Sequence, residues 1–243
     1  MTEPTPVGYY EFLDFNNPMT DETAERLVAK LAATEPSRVL DIGCGWAELL
    51  LRLLAACETA VGHGVDHDEI LLQRARDNAR HRRLSDRVTF TAALGGDESA
   101  DLVLNIGAEH VFGTVEDALE RLRPITQPGG RLLFGTQFWE RTPTPELAAA
   151  IGPLPTLPAL IDIATALGWR PIGLTVASAD DWDHFEFGFL ADWEQFVLSD
   201  TTADGGADRA RAAADEHRTA YLERRGVLGF AFLTLGRPQV VQA

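Results

Sequence analysis

The stretch VLDIGCGWAELLLRLL, residues 39–54, decides the fold of this chain. An apolar segment runs into a turn that contains Gly43 and Gly45, and a leucine-rich segment follows the turn. A strand, a glycine turn and a helix in this order are the first unit of an open α/β sheet. Asp41 lies inside the strand, two residues before the first glycine. The sequence therefore places a carboxylate where a ligand would meet the turn.

Strands and helices are predicted to alternate through the first half of the chain. An amphipathic helix is expected over 20–32, behind Thr20 as its cap. Apolar segments typical of strands follow at 37–42, 59–65, 87–92, 101–106 and 131–135, separated by helical patterns at 46–56, 68–82 and 114–122. Five β–α steps predict a parallel sheet with right-handed crossovers and helices on both faces.

The second half predicts two more strands with a helical insertion between them. Thr156 opens a helix, and 169–177 has the composition of a sixth strand. Ser178 and Asp181 form a capping-box signal for a helix that carries aromatic residues three and four apart. A loop at 200–207, a polar helix that ends at Arg225 and a last strand at 227–235 complete the pattern. We expect the insertion to cover one edge of the sheet.

Charge and composition narrow the class of partner. The chain has 37 acidic and 21 basic residues and a formal net charge of −16, which opposes binding to nucleic acid or to anionic lipid. Neither a secretory signal nor an apolar stretch of about 18 residues is present, so we expect a soluble, cytoplasmic protein. Cys44 and Cys57 offer no disulfide framework and no zinc spacing, and we expect no metal site.

Two acids beside the glycine turn indicate the ligand. A dinucleotide fingerprint requires a third glycine where this chain has Glu48, whose charge would repel a pyrophosphate. Asp66 ends the second strand, beside the turn, where a carboxylate accepts both hydroxyls of a ribose. Asp41 at the end of the first strand suits a cationic or hydroxylated group. A ribose and a positive charge without phosphate describe S-adenosylmethionine, and a nicotinamide-dependent reductase is the less favoured alternative.

These motifs resemble the class I S-adenosylmethionine-dependent methyltransferases over nearly the whole chain. The resemblance is carried by VLDIGCG, GVDHD, DLVLNIGAEHVFG and RLRPITQPGGRLLFG. GAEHVFG, FWERTPTPE and DDWDHFEF are similar to small-molecule methyltransferases of high-GC actinobacteria. The resemblance implies a Rossmann-like, doubly wound, seven-stranded α/β sheet, mostly parallel with the last strand antiparallel. It implies one domain over 1–243, with an N-terminal lid and helix at 1–34 and a cap insertion at 178–225.

The resemblance also implies how the cofactor is held. Asp41 would help to hold the methionine ammonium, the glycine turn would line the methionine moiety, and Asp66 would clamp the ribose. The family's Gly-Asp-Ala after strand three is Ala93-Leu94-Gly95 here, so either Asp97 replaces the missing acid or Leu94 packs on the adenine. The implied cofactor-binding residues are Asp41, Gly43, Cys44, Gly45, Asp66, His67, Ala93, Leu94, Asn105 and Ile106. Cys44 is expected to be a small residue in a tight turn and not a nucleophile.

Three residues are candidate proton acceptors. His110 follows strand four, and an ordinary pKa of about 6.5 suits a general base at neutral pH. Its alternative role is to cap the next helix or to bond within the loop. Glu109 is the second candidate, with a solvated surface acid as the alternative. His184, on the predicted cap, is the third.

Aromatic residues are the candidates for substrate binding. Trp182, Phe185 and Phe189 either pack as core or wall a pocket for an apolar or aromatic substrate. The N-terminal residues Tyr9, Tyr10, Phe15, Asn16 and Asn17 form either a lid or a disordered tail. The predicted substrate residues are Tyr10, His110, Trp182, Phe185 and the aromatic pair Phe138 and Trp139. The leading hypothesis is methyl transfer to oxygen or carbon; the alternatives are a cofactor-binding pseudo-enzyme with a protein partner, and another use of the sulfonium.

Overall fold

A seven-stranded sheet organises the chain, of which the computed structural model describes residues 10–95, 98–199 and 205–239. The strands are β1 (Arg38–Ile42), β2 (Val61–Val65), β3 (Val88–Thr91), β4 (Ala100–Ile106), β5 (Thr126–Trp139), β6 (Arg170–Val176) and β7 (Leu228–Gly236). Their order is β3-β2-β1-β4-β5-β7-β6. Strand β7 is antiparallel to both neighbours, and the other pairs are parallel. The predicted fold class is confirmed.

Helices cover both faces of the sheet. Within the described residues they are α1 (Asp21–Ala32), α2 (Glu48–Ala56), α3 (Glu69–His81), α4 (Val115–Ile125), α5 (Pro145–Ile151), α6 (Leu157–Ala166), α7 (Ala179–Ser199) and α8 (Gly206–Arg224). Alternate residues of a strand point to opposite faces, so Leu102 and Leu104 pack in the core beneath α1 and α2. Val103 packs in the core beneath α4 and α6. A buried strand thus contributes side chains to two cores, one on each face of the sheet.

Side-chain caps set where most of the predicted helices begin. The Asp68 carboxylate accepts the Ile70 amide at 2.8 Å and starts α3. Ser178 and Asp181 form the predicted capping box at the start of α7. Helix α5 was not predicted, although Thr144 caps it and a proline holds its first position. The reason is that α5 has no buried residue and so shows no apolar periodicity.

Helices α7 and α8 form the expected insertion between β6 and β7 and pack against each other. Trp182 near the start of α7 packs on Phe230 of β7. Farther along α7, Gly188 lies against Leu13 of the N-terminal segment. Helix α7 therefore connects the sheet to the segment before α1. Residues 200–204 of the predicted loop lie outside the described residues. Within the described ranges, no helix has both the length and the apolar character needed to cross a bilayer.

Candidate active site

A cavity of about 320 Å³ lies at the carboxyl ends of β1, β2 and β4. Its walls are the glycine turn after β1, the start of α3, the loop after β4 and the segment before α1. Among the residues predicted from the sequence, it is lined by Tyr10, Asp41, Gly43, Cys44, Gly45, Asp66, His67, Ile106 and His110. The structure therefore brings together side chains from four separate parts of the chain.

The turn after β1 depends on its glycines for two different reasons. Gly43 has φ +79°, and a Cβ there would lie 2.3 Å from the Cβ of Ala108. Gly45 also has a positive φ, +53°, but a Cβ on it would meet nothing within 4 Å. Gly43 is therefore required by close packing against the loop after β4, whereas Gly45 leaves the cavity open. Both conformations are costly for a residue with a Cβ.

Asp66 holds the turn from the end of β2. Its Oδ2 accepts the Gly45 amide N–H at 2.8 Å, and its Oδ1 accepts the Asp68 N–H at 3.0 Å. The side chain lines the cavity and is mostly buried. Because each carboxylate oxygen can accept more than one hydrogen bond, Asp66 keeps capacity for hydroxyl groups of a ligand.

Asp41 is a buried carboxylate at the end of β1. It is 6% exposed and lines the cavity, and no described residue donates a hydrogen bond to its carboxylate. Burial raises the pKa of Asp41 to about 7, and the nearby negative charge of Asp66 adds to the rise. A ligand that brings a positive charge to Asp41 and hydroxyls to Asp66 would relieve both effects. These residues fit the ammonium and ribose groups of S-adenosylmethionine.

Glu48 lines the same cavity, but its carboxylate is paired with two arginines that do not line it. Its Oε1 lies 2.6 Å from Nε of Arg52 and 2.7 Å from the Arg82 guanidinium. Glu48 therefore presents little uncompensated charge to a ligand, contrary to the expectation that it repels a pyrophosphate. The argument against a phosphate then rests on Asp41 and Asp66.

Cys44 lies in the turn between the two glycines and lines the cavity. Burial, together with the charges of Asp41 and Asp66, raises the pKa of its thiol far above the usual value. The thiolate is the reactive form of a cysteine. Cys44 therefore stays a neutral thiol, as expected for a small residue in this turn.

His110 and Glu109 point in different directions from one 3₁₀ turn, Glu109–Val111. His110 is exposed and lines the cavity, and within the described residues its ring makes no hydrogen bond. Helix α4 is capped by Thr114, so His110 does not serve as its cap. Glu109 does not line the cavity: its Oε1 accepts the Thr136 hydroxyl at 2.9 Å, and its Oε2 is buried without a partner among the described residues. The alternative of a solvated Glu109 is wrong, because its carboxylate turns inward toward β5.

Several predicted cofactor residues do not reach the cavity. Asn105 is fully buried and donates from Nδ2 to the Ile42 carbonyl at 3.0 Å, so it ties the end of β4 to β1. Ala93 is exposed, and Leu94 packs on the core beneath α4. Asp97, the alternative adenine contact, lies outside the described residues, as does Tyr9. Of the described residues that follow β3, neither Ala93 nor Leu94 lines this cavity.

The predicted substrate aromatics mostly pack as core. Phe138 is 2% exposed and belongs to the core beneath α4 and α6, whereas Trp139 is partly buried against the core on the other face of the sheet. Trp182 is 7% exposed. His184 and Phe185 instead line a second, small cavity of about 60 Å³, which shares wall residues such as Phe15 with the main one. Thus Phe185 and His184 lie beside the site, and Tyr10 lies in it.

Sequence reasoning missed several lining residues, among them Asp14, Trp46 and Ala108. The sequence could have indicated Trp46 as a lining residue, because it directly follows the second glycine of the turn. Asp14 and Ala108 carried none, because their positions follow from how distant segments pack. A search of the described residues finds no group of His, Cys, Asp or Glu side chains arranged to hold a metal ion.

Comparison with known proteins gives relatives over most of the chain. Residues 40–132 match a family model described as a methyltransferase domain. The uncharacterized protein YjhP of Escherichia coli (strain K12) is 30% identical over 70% of this chain and 73% of its own length. The 27-O-demethylrifamycin SV methyltransferase of Amycolatopsis mediterranei is 29% identical over 56% of this chain and 60% of its own length.

Solved structures are similar over nearly the full chain. The X-ray structure of YjhP has a TM-score of 0.83 and 25% identity, covering 96% of this chain and 99% of that chain. A S-adenosylmethionine-dependent methyltransferase from Geobacter sulfurreducens, crystallised with S-adenosyl-L-homocysteine, has a TM-score of 0.84 and 25% identity, covering 96% and 97%. The similarity therefore includes the strand ends and the turn that form the cavity.

Proposed function

This chain belongs to the class I S-adenosylmethionine-dependent methyltransferases, and from that premise we propose that it methylates a small organic molecule at an oxygen or carbon atom. The observation that carries the proposal is the exposed imidazole of His110, which lines the cavity at the end of β4 and makes no hydrogen bond to any described residue. An imidazole in that place is suited to take a proton from an acceptor.

The chain's own residues would hold the cofactor as follows. S-adenosylmethionine supplies a methyl group on a positively charged sulfur, which is already an excellent leaving group. Asp41 would pair with the ammonium of its methionine moiety, and Asp66 would accept the ribose hydroxyls while it holds Gly45. Because the site mainly has to align the acceptor, the methyl carbon and the sulfur, positioning can lower the barrier by about 7–11 kcal/mol in favourable cases.

His110 would remove the proton that an oxygen or carbon acceptor loses on methylation. A positioned general base contributes about 10²–10⁴-fold to a rate. His110 is next to the loop that packs on Gly43, so it is held at the same edge of the cavity as the turn. Glu109 is a poorer candidate, since its carboxylate is bonded to Thr136.

A small, non-anionic acceptor is supported by the charge of the chain and of the cavity. The net charge is −16, and among the residues that the structure describes no lysine or arginine lines the cavity. A phosphate backbone would find no cationic partner there. A relative at 29% identity is named for action on 27-O-demethylrifamycin SV, a small molecule.

The test is transfer of labelled methyl groups. The protein is incubated with methyl-labelled S-adenosylmethionine and a whole-cell bacterial extract, and label is measured separately in the low-molecular-weight, RNA and protein fractions. We expect label in the low-molecular-weight fraction and none with Asp66→Ala. Label confined to RNA or protein would contradict the proposed acceptor class. Saturable binding of S-adenosyl-L-homocysteine without any labelled product would favour the pseudo-enzyme.

A further inference from the structure

A buried aspartate on the cap helix contacts the segment that closes the cofactor cavity. Asp192 of α7 is 1% exposed and does not line the cavity. Burying a carboxylate costs free energy unless it is hydrogen-bonded or paired. A carboxylate buried this deeply therefore calls for a specific partner.

That partner is the main chain of Tyr10. The Tyr10 amide N–H donates to Oδ2 of Asp192 at 2.7 Å, across 182 positions of sequence. The other oxygen, Oδ1, is buried and has no hydrogen-bond partner among the described residues. Burial raises the pKa of Asp192, and hydrogen bonds from the backbone amides of Tyr10 and Glu11 oppose that rise. The main chain at Tyr10 and Glu11 thus anchors this side chain.

The same peptide segment is also held by Arg74 of α3. Arg74 of α3 donates from Nη1 to the Tyr10 carbonyl at 3.0 Å and from Nη2 to the Leu13 carbonyl at 3.3 Å. Its guanidinium carbon lies 4.2 Å from the centroid of the Trp46 ring. Trp46, which follows the glycine turn, donates from Nε1 to the Asp14 carbonyl at 2.7 Å.

The Tyr10 ring completes this arrangement. Its centroid lies 5.6 Å from the ring of Trp46 and 5.6 Å from the ring of Phe189 on α7. Tyr10 also lines the cavity, together with Asp14. We call residues 10–17 the strap. The strap is therefore held between the cap and the glycine turn, and it forms one wall of the cofactor cavity.

We propose that Asp192 is a positioning residue for cofactor retention. Asp192 and Arg74 hold the Tyr10 peptide from two sides and keep the strap over the bound cofactor. Release of the cofactor then requires the strap to break its bond to the cap. Because the chain belongs to the methyltransferases whatever its acceptor, this inference does not depend on the proposed substrate.

The test compares Asp192→Ala with Asp192→Asn. Wild type and variants are loaded with labelled S-adenosyl-L-homocysteine and chased with an excess of unlabelled compound, and the dissociation rate is measured. We expect Asp192→Ala to release the compound about tenfold or more faster, since a hydrogen bond to a buried charge is lost. Asp192→Asn keeps an acceptor oxygen for the Tyr10 N–H and should stay within about threefold of wild type. Hydrogen exchange of residues 10–17 should rise in the alanine variant and be restored in the asparagine variant.

Two further variants keep the test decisive. Asp215→Ala removes an exposed carboxylate that pairs with Arg218 on the same helix, α8, so it should leave the dissociation rate unchanged. Arg74→Met tests the strap from the other side if Asp192→Ala does not fold, and it should also speed release. Wild-type dissociation rates in folded Asp192→Ala or in folded Arg74→Met would overturn the proposal.

Discussion

Asp41 is a carboxylate that the fold removes from water before any ligand binds. Its pKa rises from 3.8 to about 7, so between these pH values the native protein keeps a proton that the unfolded chain has lost. Stability must therefore fall as the pH rises through this window. We predict that Asp41→Asn raises the free energy of unfolding by at least about 1 kcal/mol at pH about 8, since one pKa unit corresponds to about 1.4 kcal/mol. Urea unfolding between pH about 4 and 8 measures this, and the difference should vanish at the acid end.

The control for Asp41 is an exposed acid of the same cavity. Asp14 lines the cavity but is solvated. Asp14→Asn should therefore change stability by less than about 0.5 kcal/mol at any pH in this range. Equal stability of wild type and Asp41→Asn at the alkaline end would show that Asp41 is not destabilised by its burial.

His110 is the residue on which the proposed proton transfer depends. We predict that His110→Ala binds S-adenosyl-L-homocysteine within about twofold of wild type and loses at least about 100-fold in turnover, because a general base acts only on the chemical step. The labelled-methyl assay and equilibrium dialysis measure the two quantities. His81→Ala is the control and should leave turnover unchanged, since His81 is exposed on α3 and does not line the cavity. Turnover of His110→Ala at the wild-type level would remove His110 as the base.

At the scale of elements, the two glycines of the turn between β1 and α2 differ in what an added side chain would cost. At Gly43 it would be a positive φ and a steric clash, and at Gly45 a positive φ alone. Gly43→Ala places a Cβ 2.3 Å from the Cβ of Ala108 and forces a residue with a side chain to φ +79°. Gly45→Ala costs only the conformational free energy of its positive φ, because its Cβ meets nothing within 4 Å. We predict a loss of about 2–5 kcal/mol for Gly43→Ala and of about 1–2 kcal/mol for Gly45→Ala, measured by urea unfolding.

A glycine far from the cavity provides the reference for this turn. Gly226 precedes β7 with φ +73°, and a Cβ there also meets nothing within 4 Å. Gly226→Ala should therefore cost about as much as Gly45→Ala. If Gly43→Ala were no more destabilising than these two, close packing of the turn against the loop after β4 would not matter for stability.

The elements that were predicted best are those with a local signal. Strands β1 and β4 are apolar and bounded by turns, and α7 carries a capping box. Helix α5 was missed because it buries nothing. Strand β5 is longer than expected, Thr126–Trp139 rather than 131–135, because its start pairs with β4 at Thr126 and its pairing with the antiparallel β7 continues to Trp139. Pairing partners lie far away in sequence, so a local pattern does not show where a strand stops.

For the whole molecule, ligand choice tests the chemistry of the site. We predict that S-adenosyl-L-homocysteine at 100 times its dissociation constant stabilises the protein by about 2.7 kcal/mol, and that NADPH does not stabilise it. For a chain of this size that corresponds to a rise of about 5–10 °C in Tm. The reason is that Asp41 and Asp66 accept a cation and hydroxyl groups but repel a phosphate. Thermal unfolding with each compound is the measurement.

Asp66→Ala is the internal control for that experiment. It removes the acceptor at the end of β2 and leaves the Gly45 amide without its 2.8 Å partner. The variant should fold, with a stability lower by about 1–3 kcal/mol, and show no shift with S-adenosyl-L-homocysteine. A shift with NADPH in the wild type, or an undiminished shift in Asp66→Ala, would mean that the glycine turn binds another class of ligand.

The sequence by itself determined the fold class and the cofactor, and it predicted that the glycine turn, Asp41 and Asp66 would meet at one site. These features depend on hydrophobic periodicity, secondary-structure propensity and residue type over short stretches of sequence, which are local properties. Only the tertiary structure decided that Glu48 is neutralised by Arg52 and Arg82, that Glu109 turns inward, and that Asp192 reaches Tyr10. The role of a charged side chain depends on the partner that tertiary packing places beside it. Those partners lie up to 182 positions away in the sequence, so no local pattern reveals them.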